Sequence, residues 1–163
     1  MAGKTPFENR LMKEFKIFAR EPPPGMSVDV QAEQNLKNWI INMQGPKGTL
    51  YDGEQFQLRF KFDTKYPFES PEVTFVGQNI PVHPHVYSNG HICLSILTSD
   101  WSPVLTVQSV CLSIMSMLSS CKEKKRPEGD TMYVKTGNKN PKETKWLYHG
   151  KQILSLIKMN HVH

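Results

Sequence analysis

The longest stretch without a helix or strand period, residues 77–105, does most to restrict how this 163-residue chain can fold. Gly77, Pro81, Pro84, Gly90 and Pro103 punctuate it, and such residues break helices and strands alike. It also holds Ile80, Val82, Val86, Tyr87, Ile92, Leu94, Ile96, Leu97 and Trp101, too apolar a set for a disordered segment. A loop this long inside a compact domain is functional or disordered. The apolar content selects the first case and predicts an ordered loop packed against a sheet.

The preceding residues supply that sheet. Thr5-Pro6-Phe7-Glu8 has the form of a capping box with proline at the first helical position. Phe7, Leu11, Phe15 and Phe18 then recur at spacings of four and three, which predicts a helix with one apolar stripe, the rest of its surface being Arg10, Lys13, Glu14 and Lys16. Glu21-Pro22-Pro23-Pro24-Gly25 ends it. Trp39–Met43 is an apolar run of strand length, and Phe56–Asp63 alternates strictly, so one face is buried and the other wet. Leu50-Tyr51 is a short segment between the turns at Gly45-Pro46 and Asp52-Gly53, Tyr66-Pro67-Phe68 is a further turn, and Val73–Phe75 is a last short strand. Strands in succession joined by short turns predict an antiparallel meander. After the loop, Thr106 is set as an N-cap, and Val107, Val110, Cys111, Ile114, Met115 and Leu118 keep the helical period, giving a core helix. The class is α+β: an N-terminal helix, a four-stranded antiparallel sheet, an ordered loop and a central core helix. Residues 1–124 read as the core of the domain, and the Gly/Pro/Lys-rich residues 125–163 as a divergent, mobile C-terminal region of the same domain. Trp146, Leu147 and Tyr148 could anchor a short final segment, and Ile153, Leu154, Leu156 and Ile157 one or two helical turns.

Composition excludes several classes. With 38% hydrophobic and 21% charged residues the chain is that of a folded soluble protein. No apolar run approaches the roughly 18–20 residues needed to cross a bilayer, and MAGKTPFENR lacks a secretory apolar stretch. Three cysteines without close pairs argue against a disulfide framework. The expected location is the cytoplasm, the nucleus or both, without a membrane partner. The net charge of +5 gathers late in the chain, as a solvated basic tail or as a surface for an acidic partner; nucleic acid is not expected. Lys124-Lys125-Arg126-Pro127 reads either as a nuclear address or as a chance basic run.

The dense chemistry lies in His83-Pro84-His85-Val86-Tyr87-Ser88-Asn89-Gly90-His91-Ile92-Cys93-Leu94, followed by Trp101-Ser102-Pro103. In order and spacing these residues resemble the ubiquitin-conjugating enzyme family, whose signature is a His-Pro-Asn triplet, a glycine, Ile-Cys-Leu, and Trp-Ser-Pro eight residues after the cysteine. The Pro-Pro after the first helix, Gly45–Thr49, Tyr66-Pro67-Phe68 and Ser70-Pro71 extend the resemblance over roughly residues 5–120. It implies that Cys93 takes ubiquitin as a thioester from the activating enzyme and passes it to an amine, with no cofactor and no metal. It also implies that His83 shapes the loop, and that Arg10, Lys13, Phe68, Pro103 and Val104 form the surface for a RING or U-box ubiquitin ligase.

Two departures bear on mechanism. His85 stands where most members have asparagine, so an imidazole would have to stabilise the oxyanion, together with backbone amides of the loop. Lys124–Arg126 is basic where many members carry an acid, and Glu123 is the carboxylate directly beside it in sequence. His-Pro-His, Ser109–Ile114, Cys121–Lys124 and Asn138–Pro141 resemble a branch of the family associated with attaching ubiquitin to protein N-terminal α-amino groups. This makes proteins with flexible N-termini the expected substrates.

The residues allow blander readings. Cys111 lies on the core stripe, Cys121 at a helix end, and Phe68 could simply pack in the core. His91 reads as an exposed bystander or as a group tuning the thiol. His83, His85, His91 and Cys93 suit zinc chemically, but their spacing matches no common finger.

Overall fold

The computed structural model describes residues 3–144. Helix α1 spans Pro6–Arg20 and starts with the expected reciprocal cap: Thr5 Oγ1 accepts from the Glu8 amide, and Glu8 accepts from the Thr5 amide, both at 3.2 Å. Its Phe7, Leu11, Phe15 and Phe18 are buried, but so is Glu14, which the sequence pattern places on the wet face.

Four antiparallel strands follow in chain order: β1 (Met26–Val28), β2 (Asn38–Gln44), β3 (Gln55–Lys61) and β4 (Glu72–Val76). Strand β1 is not apparent in the sequence because three residues cannot display a period; its Met26 and Val28 pair with Met43 and Ile41 of β2. Leu50-Tyr51 is a turn rather than a strand. The alternation of β3 buries Phe56, Leu58 and Phe60, and it ends at Lys61, two residues short of the expected end. These side chains join Trp39, Ile41 and Met43 of β2 in one core cluster with the apolar stripe of α1. Helix α2 (Val107–Ser119), capped by Thr106 and Ser109, contributes Val107, Val110, Cys111, Ile114 and Leu118 to the same cluster, while Met115 is half-buried.

The 77–105 stretch is an ordered layer on the sheet edge. The Phe75 amide of β4 donates to the Gly90 carbonyl at 2.9 Å, and Thr74 pairs with His91. Gly90 has φ +90°, and a Cβ there would lie 1.9 Å from the Phe75 carbonyl oxygen, so only glycine permits this approach. Farther along, the Ser70 hydroxyl donates to Leu97 O (2.7 Å) and the Trp101 indole to Pro67 O (2.8 Å).

Residues 125–144 differ from the mobile segment expected. Arg126 donates to the carbonyls of Ile80 (3.1 Å), Pro81 (2.7 Å) and Val86 (3.3 Å). Helix α3 (Asp130–Thr136) buries Tyr133, and a 3-10 turn spans Pro141–Glu143. The sequence counts charges and helix breakers, but a guanidinium that satisfies three loop carbonyls anchors a segment. The expected anchor at Trp146–Tyr148 and turns at 153–157 lie outside the described residues. Among the described residues no helix is long and apolar enough to cross a membrane.

Candidate active site

Two neutral imidazoles and a buried thiol meet in the loop. His83 is buried, with Nδ1 accepting from the His85 amide (2.9 Å) and Nε2 facing the Met117 carbonyl of α2 (3.1 Å). The two contacts together define the Nε2–H tautomer. Burial lowers its pKa from 6.5 to about 4, against the pull of the Met117 hydrogen bond. His83 thus ties the loop to the core helix. The Cys93 amide donates to the His85 carbonyl at 2.8 Å. The amides of residues 85 and 93 are therefore engaged within the loop, while the His85 side chain is exposed.

Cys93 is 3% exposed, and desolvation alone pushes its thiol up from 9.0 to about 12. Among the described residues no charged group offsets this effect, so the resting thiol is protonated. Cys111 is buried in the core, and Cys121 is half-buried with its sulfur 3.3 Å from both the Tyr51 hydroxyl and the Glu123 carbonyl.

His91 is not the exposed bystander of the sequence reading. It is 6% exposed, because β4 and α3 close over it, and its Nδ1 lies 2.7 Å from the Tyr133 hydroxyl. The Tyr87 and Tyr133 rings stack with centroids 3.8 Å apart. Asp130 accepts from the Ser88 amide at 2.8 Å, bringing to the loop a carboxylate that counting sequence neighbours of 124–126 misses. The basic positions themselves are engaged. Lys124 pairs with Glu54 at 2.7 Å, and Arg126 faces the loop carbonyls. Both ring nitrogens of His83 face protein groups, as does Nδ1 of His91, and among the described residues no group of three or more His, Cys, Asp or Glu is set to hold a metal.

The expected docking residues gather at the opposite end of the loop. Phe68 is 80% and Val104 82% exposed, and Lys13 and Pro103 are also exposed. The core reading of Phe68 is therefore wrong: Tyr66, two residues earlier, fills the core instead. Arg10 is half-buried beside them. Its guanidinium donates to Pro103 O (3.0 Å), Leu105 O (2.9 Å) and Glu14 (2.8 Å). Glu14 also accepts from the Tyr66 hydroxyl and, at 2.8 Å, from the Val107 amide at the start of α2. One buried carboxylate thus joins α1, the Tyr66-Pro67-Phe68 turn and the 103–107 segment. The signal for it was an acid four residues after an arginine, beside the apolar stripe, a pattern shared with ordinary surface pairs.

The fold, with its buried cysteine in a loop that also holds two buried neutral histidines, matches a known family. The model of the ubiquitin-conjugating enzyme family matches residues 10–149. The chain belongs to that family, whose members are cysteine-thioester transferases working with ubiquitin, an activating enzyme and a ubiquitin ligase. Among curated relatives it is similar to a probable ubiquitin-conjugating enzyme E2 W-A of Danio rerio, 64% identical over 87% of this chain and 95% of that one. It is also similar to a ubiquitin-conjugating enzyme E2 W of Caenorhabditis elegans, 60% identical over 86% and 93%. Among solved structures it resembles the ubiquitin-conjugating enzyme E2 UbcA1 of Agrocybe aegerita, with TM-score 0.80 and 44% identity over 85% of this chain and all of that one. The resemblance is thus to the W type within the family.

Proposed function

We propose that Cys93 carries the ubiquitin and that the preferred acceptor is a protein N-terminal α-amine. The supporting observation is the absence of a free acidic group at the 124–126 positions: Lys124 is paired with Glu54, and Arg126 is bound to loop carbonyls. In the first step the Cys93 thiolate attacks the ubiquitin C-terminal carbonyl held on the activating enzyme; a new C–S bond forms, and the old one breaks to release that enzyme's thiolate. In the second step a neutral amine attacks, Cys93 leaves as thiolate, and an amide forms as the amine's proton passes to water. The exposed His85 ring is the donor offered to the tetrahedral oxyanion, because the amides at 85 and 93 are already engaged. His83 keeps the loop in register from behind.

Acceptor choice follows from protonation. An α-amine has a pKa of about 7.7–8.0 and lysine about 10.4, so at neutral pH the α-amine is uncharged a few hundred times more often, roughly 10 to the power of the difference. Weak base assistance penalises lysine most. Flexible N-termini are the proposed substrates, and Phe68, Val104, Pro103 and Lys13 the proposed contacts for a RING or U-box ligase. Arg10 would support that surface from within, and the three free cysteines fit a cytoplasmic or nuclear location.

Two peptides test the proposal, one N-acetylated with a lysine, the other with a free N-terminus and no lysine. The charged enzyme should discharge faster onto the second; equal or faster discharge onto the first would make it lysine-directed. Cys93→Ser should abolish the reductant-sensitive adduct while Cys111→Ser retains it; loss only in the Cys111 variant would overturn the Cys93 assignment.

A further inference from the structure

The reading of Cys93 as the acyl carrier leaves the buried Tyr133–His91 contact without a task. We propose that Tyr133 is a positioning residue for acyl transfer, its hydroxyl holding His91 and, through it, the short segment that presents Cys93. This inference rests on the Cys93 reading and adds a residue from the C-terminal region to the reaction.

The geometry runs through one hydroxyl. Tyr133 Oη lies 2.7 Å from His91 Nδ1 and 3.0 Å from Thr144 Oγ1. A hydroxyl has one proton to give and two lone pairs to offer. Burial lowers the His91 pKa, so the imidazole is neutral near pH 7. A neutral imidazole has one nitrogen that donates and one that accepts. With the tyrosine proton directed to His91 Nδ1, Thr144 donates to the tyrosine oxygen. One group links α3, the residue-144 segment and the reactive loop.

His91 is well placed to transmit this order. Its backbone pairs with Thr74 of β4, and its carbonyl accepts from the Tyr87 amide at 2.9 Å. Only Ile92, itself buried, separates it from Cys93. The Tyr87 ring lies against that of Tyr133, with centroids 3.8 Å apart. When the thiolate forms or leaves, its surroundings must keep their arrangement. A fixed, neutral donor chain does this without adding a competing charge.

Tyr133→Phe keeps the ring and its stack and removes only the hydroxyl. With the ubiquitin-charged enzyme and a free α-amine peptide, the maximal single-turnover discharge rate should fall about fivefold, the scale of one neutral hydrogen bond. The acceptor concentration for half-maximal rate should stay within about twofold, since the hydroxyl does not bind the peptide. The ring nitrogen shifts of His91, read by NMR on the uncharged protein, should show a single Nε2–H tautomer in the unmodified chain and a changed pattern in the variant. This signal does not depend on which cysteine carries ubiquitin, so it separates failure here from failure of the Cys93 assignment. A wild-type discharge rate, or an unchanged His91 spectrum, would overturn the proposal. If Tyr133→Phe does not fold, His91→Gln decides: it removes the ring that faces the tyrosine hydroxyl and leaves Tyr133 in place, and a maximal rate equal to wild type would overturn the proposal, while a fall of about fivefold would support it.

Discussion

The two ends of the reactive loop are held by different chemistry. At the end proposed for docking, a buried carboxylate, Glu14, collects Arg10, the Tyr66 hydroxyl and the Val107 amide. In the Cys93 loop, by contrast, the fully buried imidazoles are neutral, His83 on Met117 and His91 on Tyr133, while the charged Arg126 and Asp130 hold the loop only from its half-buried margin. A fixed charge suits a surface that must keep one shape for a partner. Beside a group that gains and loses a negative charge in each turnover, it would favour one of the two states. The consequence is a thiol that burial raises to about 12, with no charge among the described residues bringing it back.

The largest effect expected from this contrast is on thiol reactivity. Alkylation of Cys93 in the uncharged protein, followed on its own peptide by mass spectrometry, should rise about tenfold per pH unit and so about a thousandfold from pH 7 to 10. The sign follows from a pKa raised to about 12: the thiolate fraction keeps growing throughout that range. A plateau near pH 8.5 would reveal a compensating charge and break the comparison.

Next in size is the charged clamp. Glu14→Ala should cost about 3 kcal/mol in urea unfolding, because it strands the Tyr66 hydroxyl and the Val107 amide as well as Arg10. A loss below about 1 kcal/mol would class the clamp with ordinary surface ion pairs. Phe68→Ala, on the surface this clamp supports, should weaken RING or U-box binding about tenfold while changing stability by no more than about 0.5 kcal/mol. Unfolding of that variant would contradict the exposed position of Phe68.

The smallest effect sharpens the neutral side. The folded-state pKa of His83 is about 4, against 6.5 as the ordinary value. Below pH 6.5 the unfolded chain takes up a proton that the native chain refuses, so this part of the stability falls as pH drops from 6.5 toward 4 and is constant above that window. Comparing the melting temperature of the protein with that of His83→Asn across the window should show a shallower acid decline in the variant. Parallel curves would mean that His83 titrates normally.

Much of the frame was legible in the sequence because it depends on local repetition. The α1 stripe with its capping box, the alternation of β3, and the α2 stripe with its Thr106 cap need only residues within a few turns of each other. Cys93 stood out for a similar reason, as a cysteine off any apolar stripe beside glycine and histidines. Strand β1 was hidden by its length. The burial of Glu14 and His91 was hidden by chemistry, because an acid or an imidazole is buried only when distant groups satisfy it.

The sequence by itself determined the class of the fold, the reactive cysteine's neighbourhood and the family. Each is carried by patterns that hold wherever the rest of the chain lies. The tertiary structure alone decided that Arg10 braces the 103–105 segment, that Arg126 fastens the C-terminal region to the loop, and that Tyr133 meets His91 across 42 residues. These are contacts between groups far apart in sequence. Their partners are chosen by which surfaces the sheet and helices bring within hydrogen-bond distance, and no local period records that choice.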